Sequence, residues 1–108
     1  MPMEHIALTE AVYYILLSLY TPLHGYGIMQ KVEGLSGGRV RLAAGTLYGA
    51  LNTMLEKRWI RALPEISGDR KKEYEITERG REVAGAELAR LQELARNGED
   101  IIEGRGAK

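Results

Sequence analysis

Apolar residues near the start of the chain recur at helical spacing. Val12, Ile15, Leu16 and Leu19 share one face, which predicts a helix over 8–20 with that face buried. Thr9 offers the side-chain oxygen of an N-cap, and Glu10 places an acid in the first turn, where the helix dipole favours it. Leu8 can staple onto Tyr13, and Thr21-Pro22 ends the helix. Tyr26, Met29, Val32 and Leu35 repeat every three residues and predict a second helix over 25–35, stopped by Ser36-Gly37-Gly38. Arg39 to Leu42 reads as extended. Leu47, Leu51, Met54 and Leu55 form one stripe and predict a third helix over 44–58. Its cap would be Ala43, which has no side-chain oxygen for a free amide, with Leu42 stapling onto Leu47.

The period then changes. Trp59 to Ile66 is rich in apolar residues, and Pro64 confines it to a sheet edge or a bulge. Ser67 to Lys71 is a charged turn, and Glu73 to Ile76 alternates polar and apolar as a half-buried strand does. Thr77 caps a last helix, expected from 78 to about 96 and so about 28 Å long. Along it Ala84, Leu88, Leu91 and Ala95 step by four, three and four, the spacing of a two-helix seam. Asn97-Gly98 is expected to stop or kink it, and residues 104–108 to fray. The fold class is mainly α with a small β-hairpin: a winged helix-turn-helix unit over 1–77, then a dimerisation helix and tail over 78–108.

A chain of 108 residues, 44% hydrophobic and 28% charged, makes one domain. Its core leaves much surface uncovered, and small helical chains often cover such surface by pairing. With no cysteine, disulfides, thiolate zinc sites and a cysteine nucleophile are excluded. No apolar run approaches bilayer length and no secretory leader opens the chain, so the expected home is the reducing cytoplasm, with no membrane partner. Enzyme signals are lacking too. His5 and His24 are the only histidines, neither with a nucleophile or carboxylate at motif spacing. His24 is assigned instead to capping the second helix. Gly34, Gly37 and Gly38 follow a helix rather than a strand, so they make no phosphate loop. No metal-ligand cluster is visible, and no cofactor is expected.

Charge changes the picture through its distribution. The net charge is zero, yet residues 31–72 hold nine Lys/Arg against four acids, a local +5 that includes Arg39 and Arg41. Residues 1–30 carry −2 and residues 73–108 carry −3. A basic middle between acidic ends is an electrostatic footprint for nucleic acid, although solvated charges can also cluster by chance. Opposite its core stripe the third helix carries Gly45, Thr46, Gly49, Asn52, Thr53 and Glu56, with Tyr48 at the edge. Thr46 and Asn52 can bond base edges or phosphates, and the glycines let backbone come close to DNA. Gly49 could equally relieve packing against another helix. Arg70, Lys71 and Lys72 sit at the hairpin tip, each able to neutralise a phosphate, though a charged tip is also simply a soluble turn.

Four blocks in order carry a resemblance: His24-Gly25-Tyr26-Gly27-Ile28, Gly45-Thr46-Leu47-Tyr48, Trp59-Ile60, and Arg70-Lys71-Lys72-Glu73-Tyr74-Glu75-Ile76-Thr77-Glu78-Arg79-Gly80-Arg81. The chain resembles the PadR family of transcriptional regulators over nearly its whole length, in the subgroup with a single C-terminal dimerisation helix. The resemblance implies a homodimer that binds an inverted-repeat operator in double-stranded DNA and usually represses. It implies that Thr46 and Tyr48 face DNA, and that Arg70 to Lys72 approach the minor groove or backbone. Two positions depart from the family pattern. Gly49 stands where Pro is common. Arg58 stands where Gly ends the third helix in a left-handed conformation, so that helix is expected to end differently. Certain family members hold flat ligands between aromatics of their dimerisation helices. This chain has no aromatic after Tyr74. A small-molecule effector would have to use Leu88, Leu91, Tyr13, Tyr14 and Tyr20, which as plain core need no ligand. Two other functions stand beside the DNA-binding one: a winged-helix protein-interaction module without DNA affinity, and a small-molecule-responsive sensor of the same fold.

Overall fold

The computed structural model describes residues 7–65 and 72–104. Elements follow in the order α1 (Glu10–Ser18), β1 (Leu23–His24), α2 (Gly25–Leu35), α3 (Ala44–Glu56), β2 (Ile60–Ala62), β3 (Glu73–Ile76) and α4 (Glu78–Ile102). The cap of α1 is the expected one: Thr9 accepts from the Val12 amide at 3.1 Å. Ile15, Leu16 and Leu19 are buried and Val12 packs against them.

The second helix corrects the three-residue stripe. Its buried face is Gly25, Ile28 and Val32, while Tyr26 is 62% exposed and Leu35 is also exposed. A strict three-residue step drifts around a helix of 3.6 residues per turn, so residues nine apart leave the common face. His24 occupies the N-cap position, but its side chain makes no capping bond. At the other end Gly37 (φ 65) closes the helix: the Gly38 amide donates to the Glu33 carbonyl at 2.8 Å and the Gly37 amide to the Gly34 carbonyl at 3.2 Å.

The third helix buries Leu47, Leu51 and Met54 as its stripe requires, and Ala43 caps it without a side-chain bond. Its C-terminus closes in the left-handed manner despite the absence of glycine. Arg58 takes φ 64, the Trp59 amide donates to the Met54 carbonyl at 3.0 Å, and the Arg58 amide to the Leu55 carbonyl at 3.1 Å. The expectation of a different ending is therefore overturned. Two helix-end hydrogen bonds, with Trp59 and Ile60 packed into or against the core, hold an arginine in a conformation that disfavours a Cβ.

The hairpin is part of a larger sheet. Three antiparallel strands run in the order β1-β3-β2, with Leu23 opposite Tyr74 and Ile60 opposite Ile76. The two residues of β1 lie in the Thr21-to-Gly25 connection, too short a stretch for alternation to show. The strand expected from Trp59 ends at Ala62, before Pro64, which fits an edge strand losing its pairing at proline. Thr77 joins β3 to α4. Its hydroxyl accepts from the Gly80 amide at 3.0 Å and lies 2.7 Å from the Arg58 carbonyl.

The last helix is longer than expected. It runs through Asn97-Gly98 to Ile102, because Gly98 keeps a helical backbone and the left-handed glycine that follows the helix is Gly104 (φ 72). A mid-helix glycine costs roughly 1 kcal/mol but does not end a helix by itself. Ala84 is buried within its own chain, and the first turns of α4 pack on α1 and the sheet. These elements together form a winged helix-turn-helix fold with a long C-terminal helix.

Candidate nucleic-acid interface

The polar side of α3 is laid out as its sequence pattern requires. Gly45, Thr46, Gly49, Asn52 and Thr53 are all exposed, on a helix fixed from behind by Leu47, Leu51 and Met54. A methyl group added at Gly45 or Gly49 would meet nothing within 4 Å. The alternative role for Gly49, relief of a packing contact, therefore has no contact in this chain to relieve. Thr53 turns its hydroxyl back to the Gly49 carbonyl at 3.3 Å. Tyr48 is 42% exposed, and its ring reaches back to the first residue of α2.

Arg39 and Arg41 are tied to acids. Arg39 makes a two-pronged contact with Glu10, Nη1 lying 2.9 Å from Oε1, and Arg41 Nε lies 3.3 Å from a Glu33 carboxylate oxygen. The hydrogen bonds that Arg39 donates to Glu10, then the charge of that carboxylate, raise its guanidinium above the ordinary value. Both pairs stay exposed, so a phosphate would have to compete with a carboxylate at each. Charge counted along the sequence overstates the positive field, since Glu10 lies outside the basic segment yet folds onto it. Arg61 is likewise paired across the sheet with Glu75, Nε lying 2.7 Å from the carboxylate. Lys72 is exposed just before β3, whereas Arg70 and Lys71 lie outside the described residues.

The expected dimerisation residues divide into two groups. Ala84 faces its own core, while Leu88, Leu91 and Ala95 are exposed. Leu94, Ile101 and Ile102 extend the exposed apolar surface toward the end of α4, Ile102 being 84% exposed. Extending the seam by its own steps past Asn97-Gly98 reaches Ile102, but a single seam misses Leu94 and Ile101.

Sequence reasoning also missed Glu87, which is 1% exposed on α4. Its carboxylate accepts from Arg90 Nε at 3.0 Å and from the Leu8 backbone amide at 3.4 Å, so the buried charge is paired and bonded. The available signal was an acid three residues after Ala84, on the core-facing side, with arginine three residues further on. Glu87 lies beside a cavity of about 320 Å³ between α1 and α4, also bordered by Tyr13, Tyr14 and Leu91. Of the five side chains expected to line an effector pocket, Tyr13, Tyr14 and Leu91 border this cavity. Tyr20 instead lies under the Arg81 guanidinium at 4.6 Å. Burial first, then the Glu87 carboxylate, raises the Tyr13 phenol. Among the described residues no cluster of His, Cys, Asp and Glu could hold a metal ion, and no helix is long and apolar enough to cross a membrane.

A third helix with an open polar face, braced by a second helix and flanked by a small antiparallel wing, defines the winged-helix class of fold. Residues 14–86 match the Transcriptional regulator PadR-like family, and the chain belongs to it. That family is one of transcriptional regulators, not of enzymes. An uncharacterized 37.1 kDa protein in transposon TN4556 of Streptomyces fradiae is 38% identical over 74 residues, which are 68% of this chain. The match spans only 20% of that curated relative's length. Among solved structures, a transcriptional regulator from Clostridium thermocellum superposes with a TM-score of 0.71 at 15% identity, covering 86% of this chain and 89% of its own. Bacillus subtilis PadR, in complex with operator DNA, gives a TM-score of 0.60 at 21% identity, over 72% of this chain and 45% of its own.

Proposed function

We propose that this chain is a sequence-specific DNA-binding repressor that acts as a homodimer on an inverted-repeat operator in the cytoplasm. Residues 1–77 would hold the duplex and residues 78–108 would pair the protomers. One observation carries the reading: α3 exposes polar and side-chain-free positions on one side while three fully buried apolar residues fix the other. Such a helix can enter a major groove and let Thr46 and Asn52 reach base edges, with Tyr48 and the wing on the backbone. The Bacillus subtilis relative of similar fold is bound to operator DNA, which supports the same use of this architecture here. Selection from random duplexes followed by a gel shift tests it. The expected product is an inverted repeat whose half-sites lie about one helical turn apart, roughly 34–36 Å. If no sequence is enriched and binding is absent at low salt, the protein-interaction reading takes over.

The cavity between α1 and α4 favours a second reading, in which a small-molecule effector modulates the same regulator. Two tyrosines, a leucine and a paired carboxylate offer an aromatic slot with one polar end. A thermal-shift screen of flat aromatic compounds should give hits that are lost in Tyr13→Ala. A screen with no hits removes this reading without touching the first.

A further inference from the structure

We propose that Gly25 is a positioning residue for DNA binding: its missing side chain is what allows Tyr48 to hold its phenol against the start of α2. The proposal deepens the DNA-binding reading of α3 and rests on it.

A Cβ placed on Gly25 would stand 2.8 Å from Cζ of Tyr48 and closer still to its hydroxyl oxygen, with Cε2 at 3.5 Å. Carbon does not approach carbon at 2.8 Å, so any other residue at position 25 displaces one partner. The partner that yields is the tyrosine. Gly25 is buried backbone at the first turn of α2, held by the preceding strand, whereas the ring end belongs to a side chain 42% exposed to solvent.

No local requirement explains the glycine. Its φ is not in the left-handed region, since Arg58, Gly37, Gly38 and Gly104 are the positive-φ positions among the described residues. At the start of a helix whose cap side chain makes no bond, glycine is a poor helix former. What it provides is room. Tyr74 of β3 is buried, and its phenol is raised first by that burial and then by Tyr48 nearby. The Tyr48 ring thus rests against α2 rather than standing free on the helix surface. A tyrosine already ordered in the unbound protein loses little rotamer freedom when its hydroxyl meets a phosphate.

A double-mutant cycle tests this in the full chain, with Gly25→Ala, Tyr48→Ala and the double variant. Each is titrated against a random-sequence duplex at low salt and melted thermally. Gly25→Ala should melt close to wild type and bind roughly fivefold more weakly, the loss of about one net hydrogen bond. Tyr48→Ala should lose a similar factor. The double variant, in which the clash is relieved, should bind no worse than Tyr48→Ala alone. Wild-type affinity in Gly25→Ala overturns the proposal, and so does a double variant whose losses multiply, for then Gly25 acts without Tyr48. The double variant keeps the test decisive should Gly25→Ala fold poorly. A wild-type chain that binds no duplex gives a different pattern, which fells the DNA-binding reading and the proposal together.

Discussion

Gly80 shows what a glycine does when the fold itself needs the space. A Cβ there would collide with the Trp59 carbonyl oxygen and lie 2.6 Å from Cγ1 of Ile76, and the carbonyl belongs to backbone that also accepts the Thr77 amide. Nothing flexible can move aside as Tyr48 can for Gly25. Gly80→Ala should therefore cost about 1–3 kcal/mol by overpacking, which for a chain of this size lowers the melting temperature by roughly 4–8 °C per kcal/mol. An unchanged melting curve would show that the junction of β3 and α4 is looser than its hydrogen bonds imply. Arg58 is the reverse case. It holds a left-handed backbone at a cost that glycine does not bear, so Arg58→Gly should stabilise by about 1 kcal/mol in chemical denaturation. A destabilised Arg58→Gly would mean that the arginine side chain offsets its own strain. Tyr74 makes a prediction in pH. Burial raises its phenol above the ordinary value of 10.0, so its contribution is whole below that value. The unfolded chain ionises first as pH rises, and the contribution disappears as pH passes the raised folded value. Stability should fall above about pH 10, and Tyr74→Phe should flatten that alkaline limb of the melting temperature, whatever its offset at neutral pH. Identical alkaline limbs would exclude Tyr74 as the titrating group.

Helices were legible where burial is one-sided and long, as in α1 and α3, because a stripe of aliphatic residues must face one core. Legibility failed where a tertiary contact decided the outcome. Two residues form β1 only because β3 lies beside them. Arg39 and Arg41 counted as free cations along the sequence, and folding gave each a carboxylate from α1 or α2. Glu87 was passed over in the sequence and is buried: Arg90 neighbours it on the same helix, but the Leu8 amide reaches it only in the fold. The open face of α3 was legible because it needs no partner, and it separates stability from binding. Gly49 sits in mid-helix with free space around it, so Gly49→Ala should raise stability by roughly 1 kcal/mol on helix propensity alone. If that face meets DNA, the same methyl group intrudes between backbone and duplex, and affinity should fall several-fold. Gain in melting temperature without loss in a gel shift would place the duplex elsewhere.

At the scale of the whole molecule α4 sets the shape. Its 25 residues make a rod about 37 Å long, in a molecule 62 Å in its longest dimension. Only the first part of that rod is covered: Ala84 and Glu87 are buried. Beyond them Leu88, Leu91, Leu94, Ile101 and Ile102 remain exposed on an otherwise charged helix. A helix draws most of its stability from packing its apolar face, so a rod left half bare needs a second surface. A second copy of the chain offers one with two-fold symmetry, the arrangement that an inverted repeat requires of its reader. Sedimentation at tens of micromolar, a rough range that detects even weak pairing, should find a dimer. Leu88→Glu with Leu91→Glu puts four like charges into each paired interface and should yield monomers, or chains that unfold with the loss of their partner. A soluble monomeric variant keeps α3 and the wing intact. It should therefore retain weak, salt-sensitive affinity for any duplex and lose its preference for the inverted repeat, because one reading helix meets only one half-site. Should that monomer bind the selected repeat as tightly as the wild type does, α4 has some other purpose than setting two reading helices one turn of DNA apart.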